Sequence, residues 1–208
     1  MTGKRLSIVA IGGTTSPGSS TEQALKLALH AAEGEGVTVS LFDGRALATL
    51  PHYAAGAVAE CEVAQRLVAA LRDADGLVLA SPGYHGSISG LVKNAIDYVE
   101  ETARDNRVYL DDLPVGLIVT AYGWQAIGST LATMRSIVHA LRGWPTPFGA
   151  GIKVAPGLFK DGDCTDPAAA QQLATVGRQV VEFARIRQRM PWATETGPDE
   201  GSAGGPAA

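Results

Sequence analysis

The sequence predicts a doubly wound α/β domain: a five-stranded parallel sheet in the order 2-1-3-4-5, with helices on both faces. Three observations predict it. Short apolar runs of strand length alternate with longer stretches of helical periodicity, as crossover helices between parallel strands require. There are five such runs, which favours this order over the six-stranded dinucleotide-binding one. The two loops richest in glycine and hydroxyl residues follow the first and third runs, which this order makes neighbours at the point where the sheet reverses direction.

Leu6 to Ile11, rich in Val and Ile, reads as the first strand. Gly12 to Thr21 follows, dense in small hydroxyl residues and free of carboxylates. Ser20 or Thr21 is expected to cap the next helix, EQALKLALHAAEGEG, with Leu25, Ala28 and Leu29 inward and Gly34 and Gly36 at its end. Val37 to Phe42 is the second strand. Asp43 to Ala59 has little periodicity and reads as a connection, with Leu50 to Tyr53 packed over an edge. A helix from about Cys61 to Arg72 turns Val63, Leu67, Val68 and Leu71 inward.

Leu77 to Tyr98 organises the rest. An apolar strand, Leu77 to Ala80, breaks at Ser81-Pro82-Gly83, which continues neither strand nor helix cheaply. Tyr84 to Ser87 form a small, polar loop with one aromatic. From Gly90 an amphipathic helix begins, with Leu91, Val92, Ala95, Ile96 and Val99 on one face. It is expected to fray between Glu100 and Asp112. Val115 to Ala121 is the fourth strand, Tyr122 to Gly128 its loop, and Leu131, Met134, Ile137, Val138 and Leu141 mark the following helix. Gly143 to Pro147 should stop that helix, and Phe148 to Val154 is the fifth strand. Asp166-Pro167 starts the last helix, which ends near Arg189. Residues 1–190 therefore read as one domain and 191–208, rich in Gly, Pro, Thr, Ala and acid, as a disordered tail.

Composition bounds the function. With 208 residues, 46% hydrophobic and 18% charged, the chain can bury a core. A formal charge of −4 without a Lys/Arg cluster argues against nucleic acid or an anionic membrane as partner. Cys61 and Cys164 lie far apart without zinc spacing, which fits reduced thiols in the cytoplasm, and no secretory signal is legible. His30, His52, His85 and His139 have no metal-ligand spacing, so no metal is expected.

The loops carry the chemistry. Gly13, Thr14, Thr15, Ser16, Gly18, Ser19, Ser20 and Thr21 suit a phosphate: glycines admit backbone N–H groups, hydroxyls donate, and a helix N-terminus follows. The loop lacks the Walker lysine and is not G-x-G-x-x-G. Pro82, Gly83, Tyr84, His85, Gly86 and Ser87 suit a flat heterocycle with donors and acceptors on its rim, Tyr84 lining one face. His85 is a weak candidate for acid/base work, since a lone loop histidine is more often a surface residue. Tyr122, Gly123 and Trp124 either border the same ring or, for Trp124, plug the sheet edge.

At these residues the sequence resembles the NAD(P)H-dependent FMN reductase family of flavodoxin-like proteins. The central signature, S-P-E-Y-H-G-S-x-x-G-x-x-K-N-A-x-D, is matched from Ser81 to Asp97; Gly12 to Thr21 matches the phosphate loop and Gly123-Trp124-Gln125 a third flavin loop. The resemblance spans about Leu6 to Phe183. It implies the flavodoxin-like fold, bound FMN, NADPH or NADH as co-substrate, no protein catalytic residue, and a homodimer or homotetramer. Dimer contacts are expected from the helices at Gly90 to Val99 and Gly128 to Leu141, with Tyr98, Met134 and Trp144 as surplus apolar side chains. Two positions depart from the pattern. Gly83 stands where the family usually has Glu, and Ser16 where it often has Arg. The second removes a charge-assisted phosphate contact and leaves open whether FMN is a fixed prosthetic group or an exchanging substrate.

The expected activity is an NAD(P)H-dependent FMN reductase whose reduced flavin serves a partner monooxygenase. Three alternatives stand beside it: an FMN-containing quinone or azo reductase, an electron-carrying flavodoxin that never meets a nicotinamide, and a binding module that has lost its cofactor.

Overall fold

The computed structural model describes residues 5–190; the expected tail, 191–208, lies outside them. The strands are β1 (Ser7–Gly12), β2 (Thr38–Phe42), β3 (Gly76–Pro82), β4 (Pro114–Ala121) and β5 (Trp144–Lys153). They form one sheet in the order β2-β1-β3-β4-β5, every pair parallel. Every residue of β3 and β4 is buried, as central strands covered on both faces must be.

Alternate residues feed two cores. Val9, Ile11, Leu77, Leu79, Leu117 and Val119 pack against α3 (Glu62–Asp73), α4 (Gly90–Asp97) and α5 (Trp124–Ala140), numbered after α1 (Ser20–Glu33) and the short α2 (Gly44–Leu47). Ile8, Ala10, Val78, Ala80, Ile118 and Ile152 face α1 and α6 (Pro167–Gln188). The period of two along each strand thus builds both layers from one set of residues.

Several boundaries move from their expected places. The cap of α1 is Ser19, whose side chain accepts from Glu22 N, so Ser20 and Thr21 are already helical. The connection after β2 contains α2, capped by Asp43 at 3.1 and 2.9 Å from the N–H groups of Arg45 and Ala46, and a 3-10 turn at Ala57–Glu60. A 3-10 turn, Tyr98–Thr102, continues α4. Residues 144–147, expected to stop a helix, instead begin β5. Their prolines are tolerated because β5 is an edge strand and its register with β4 slips between Val115 and Leu117. A two-stranded hairpin, β6 (Phe159–Lys160) and β7 (Asp163–Cys164), turns at Asp161-Gly162 with φ of 52° and 90°. The Asp-Gly pair is the sequence signal for it.

Two of the three residues expected to be surplus are core. Tyr98 is fully buried and Met134 is 1% exposed; Trp144 alone remains half-exposed. Tyr98 stacks edge-on against Tyr53, with ring centroids 5.2 Å apart, and its hydroxyl donates to Pro51 O at 3.0 Å. The connection packed over the edge uses it. Asn94 holds the same segment from both sides, accepting from Tyr53 N and donating to Pro51 O, each at 2.9 Å.

Candidate functional site

The carboxyl ends of β1, β3 and β4 lie side by side, and their three loops are joined at the base. At Gly12 a Cβ would stand 2.4 Å from Ala80 O, so the ends of β1 and β3 touch through backbone. Gly83 N donates to Thr120 O at 2.8 Å, carrying the β3–β4 ladder one residue beyond the strands. The hydroxyls of Thr21 and Thr120 meet at 2.6 Å in a buried contact that ties the first turn of α1 to β4.

The first loop is shaped by close approach. Gly13 has φ +121°, and a Cβ on Gly44 would fall 1.8 Å from Thr14 O. Four N–H groups at a helix start lack intrahelical partners. Here Ser19 N bonds Ser16 O at 3.3 Å and Glu22 N bonds Ser19 Oγ at 3.3 Å. That leaves Ser20 and Thr21 N–H directed past the helix start, with the half-buried Ser19 and Ser20 hydroxyls beside them. Thr15, Ser16 and Gly18 are exposed on the rim, and Thr14 Oγ1 accepts from Ser16 N. This donor set fits a phosphate. It contains no cation, and the Thr21 hydroxyl, counted among its donors from the sequence, is turned into the core.

Tyr84 to Ser87 form a closed two-residue turn. Tyr84 N donates to Ser87 O at 2.9 Å and Ser87 N to Tyr84 O at 3.0 Å. His85 and Gly86 occupy its corner with φ of 51° and 84°, the type I′ pattern. Because the Tyr84 N–H is held inside the turn, the donors presented outward are those of His85 and Gly86, a narrower set than the sequence suggests. Ser81 Oγ accepts from Ser89 N at 3.0 Å and anchors the loop, while Ser89 Oγ caps α4. Pro82 is buried in β3. Gly83 is closely packed: a Cβ would meet Thr130 Oγ1 at 3.1 Å and Ala121 Cβ at 3.2 Å.

The third loop is shorter than expected, because α5 begins at Trp124 rather than near Gly128. Gly123 is its N-cap and provides no side-chain bond, so the first turn of α5 points uncapped N–H groups at the same edge. Trp124 is 64% exposed, which rules out the reading that it plugs the sheet. Tyr122 at 81% and Tyr84 at 52% complete an uncovered aromatic rim. Nothing orients His85 as an acid or base: it is exposed, and its place in the turn is set by backbone.

Among the described residues there is no grouping of His, Cys, Asp and Glu able to hold a metal, and no helix long and apolar enough to cross a membrane. A concavity lined by Lys26, His30, Glu33 and Asp161 lies along the far half of α1. It gathers none of the loop donors.

Comparison with known proteins gives the fold and the family. The FMN-dependent NADPH-azoreductase of Staphylococcus haemolyticus (strain JCSC1435) is 42% identical over 74 residues; these make up 36% of this chain and 36% of that protein, so the chain matches little more than a third of its length. The flavoenzyme NAD(P)H:(acceptor) oxidoreductase FerB from Paracoccus denitrificans shares the fold at a TM-score of 0.71 and 22% identity, over 87% of this chain and 98% of that one. An apo NADH:FMN oxidoreductase does so at 0.65 and 21%, over 90% and 93%. A family model described as NADPH-dependent FMN reductase matches residues 6–152, from the first strand into the fifth and across all three loops. The chain belongs to that family.

Proposed function

We propose that this protein is an NAD(P)H-dependent FMN reductase, with the FMN phosphate on the first loop and the isoalloxazine edge on the His85–Gly86 turn. The observation that carries the reading is the junction of those two loops on adjacent strands, one rich in phosphate donors and the other presenting two outward N–H groups. FMN, when bound, would supply the chemistry, taking one hydride from the nicotinamide and one proton from solvent and leaving NAD(P)+. The chain's own residues bind and orient. Ser19 and Ser20, with the N–H groups of Ser20 and Thr21, hold the phosphate; the His85 and Gly86 N–H groups polarise the ring edge. The aromatic rim of Tyr84, Tyr122 and Trp124 borders the face where a planar donor or acceptor stacks.

The test is an absorbance spectrum with and without added FMN, then anaerobic mixing with NADPH and with NADH. Flavin that binds but is not bleached by either nucleotide would leave an electron carrier. A second reading, azo reduction by retained FMN, is favoured by the similarity to the staphylococcal azoreductase. Steady-state rates with free FMN against an azo dye or a quinone separate it from delivery of reduced flavin to a partner monooxygenase.

Ser19→Ala with Ser20→Ala is expected to weaken FMN by about 2 kcal/mol, roughly 1 per hydrogen bond and more where the acceptor is charged. Riboflavin, which lacks the phosphate, should bind the double variant as it binds the parent. Equal losses for both ligands would move the phosphate elsewhere.

A second copy of the chain is the proposed cover for the aromatic rim, giving a homodimer or a homotetramer. Large apolar side chains grouped on a surface mark contacts, and Tyr84, Tyr122 and Trp124 are such a group. Light scattering at micromolar concentration should give at least twice the chain mass; a monomer would remove the idea. The free Cys61 and Cys164 fit a reducing, cytoplasmic setting, which fractionation checks.

A further inference from the structure

We infer that Glu22 sets the affinity of the phosphate loop: its carboxylate competes with the flavin's phosphate and keeps FMN exchangeable. The inference rests on the flavin reading above. Glu22 lies in the first turn of α1, where the helix N-terminus favours an anion. Its side chain is only 10% exposed. Oε2 accepts from Gly18 N at 3.0 Å, so one backbone donor of the loop is already engaged by an anion. Oε1 accepts from Lys26 Nζ at 2.5 Å. Lys26 is the nearest cationic side chain in sequence after the loop, since Gly12 to Thr21 contain no Lys, Arg or His.

A plain capping role explains only part of this. In a capping box, S-x-x-E, the carboxylate returns to the N-cap N–H. Here Ser19 N bonds Ser16 O instead, and Glu22 reaches one residue further back, onto the loop itself. The arrangement places a carboxylate among the donors meant for a phosphate and draws the one adjacent cation onto that carboxylate. A phosphate dianion arriving there meets a like charge and one donor fewer. It must either displace Glu22 from Gly18 or bind through the remaining groups beside it. Either route lowers affinity for FMN and leaves riboflavin, which has no phosphate, unaffected. A reductase that hands its reduced flavin on benefits from such a loop, because a loosely held phosphate permits release.

The experiment measures dissociation constants for FMN and riboflavin by flavin fluorescence on the full chain, in the parent, Glu22→Gln and Lys26→Met. Gln keeps an oxygen for Gly18 N–H, so the cap geometry is preserved while the charge is lost. Glu22→Gln should bind FMN about tenfold more tightly, the order of one partly screened like-charge contact, with riboflavin within about twofold. FMN release in stopped flow should slow by a similar factor. Lys26→Met should act oppositely, weakening FMN and sparing riboflavin. Unchanged or weaker FMN binding in Glu22→Gln overturns the inference, as does equal tightening of both ligands, which would trace the effect to loop folding. If Glu22→Gln does not fold, Lys26→Met decides: selective loss of FMN supports the inference and unchanged FMN overturns it. Failure of the parent to bind either flavin would instead defeat the flavin reading itself.

Discussion

Gly44→Ala should lose most of its FMN affinity while the protein stays folded. A Cβ at Gly44 would lie 1.8 Å from Thr14 O, 2.5 Å from Thr14 C and 2.7 Å from Thr14 N, all backbone of the first loop. No rotamer relieves such a contact, so α2 and the loop must separate. The other side of the contact is equally tight, with a Cβ on Gly13 reaching Gly44 N at 2.8 Å. Overpacking of this kind costs about 1–3 kcal/mol, which for a domain of this size lowers the melting temperature by roughly 2–12 °C. The larger effect is on binding. The loop that presents Ser19 and Ser20 is displaced at its root, and an error of about 1 Å in a positioned group can cost on the order of a hundredfold. Calorimetry and FMN titration check it. Gly177→Ala is the control: its Cβ would meet Ala28 O at 2.0 Å, between α6 and α1. It should destabilise at least as much without selectively losing FMN over riboflavin. Equal FMN affinity in Gly44→Ala and the parent would detach the phosphate from this loop.

The layer architecture is readable because β1, β3 and β4 are continuous apolar runs of strand length, as strands covered on both faces must be, while α6 repeats its buried positions every three to four residues. Fold order followed from five strands and two suitable loops, and the family model bears out the resemblance read at Ser81 to Asp97. What escaped was short-range or long-range detail that periodicity does not encode. The first turn of α5 is hidden in the sequence because Trp124 to Gly128 hold an aromatic and a glycine, yet of the segment Tyr122 to Gly128 only Tyr122 and Gly123 lie outside the helix. The start of β5 was hidden by Pro145 and Pro147, which an edge strand tolerates. Hairpin β6–β7 has strands of only two residues each, too short for any periodicity, and Asp161-Gly162 is its one sequence signal. Glu22 looks in sequence like one residue of a strong helix; its bond to Gly18 N depends on the loop folding back by four residues. Tyr98 was assigned to the surface because its covering segment, Pro51 to Tyr53, is distant in sequence. In the candidate site the sequence offers residue types, whereas the hydrogen bonds that divide them come from the fold. Only the structure shows that Thr21 bonds inward to Thr120 and that Tyr84 N–H is closed within its turn.

Gly86→Val is expected to abolish flavin binding and leave a folded protein. Gly86 has φ +84°, a conformation that is strained for any side chain and worst for a β-branched one. Space within the chain is not the obstacle, since a Cβ would meet only Ser129 Oγ at an ordinary 3.6 Å. The penalty, about 1–3 kcal/mol, falls on the Tyr84–Ser87 turn, which has only its two mutual backbone bonds and exposed side chains to resist it. The turn should open, and the two N–H groups it presents should lose their common direction. The sheet beneath is anchored separately, through Ser81, Ser89 and Gly83 N–H, so circular dichroism and the melting curve should change little. Gly86→Asn separates the causes: asparagine tolerates positive φ, so it restores the turn while keeping a Cβ. Recovery of FMN binding in Gly86→Asn assigns the loss to backbone strain, whereas continued loss assigns it to the Cβ standing in the flavin's place. His85→Ala belongs in the same series. His85 also has positive φ, at 51°, and in the proposed site it serves through its N–H rather than its ring. Anaerobic flavin reduction should slow only a few-fold, because hydride transfer from a nicotinamide needs no protein acid in its first step. A loss beyond about a hundredfold, typical of an acid/base residue, would give the imidazole a direct role. Normal FMN affinity in Gly86→Val would remove the turn from the flavin site altogether.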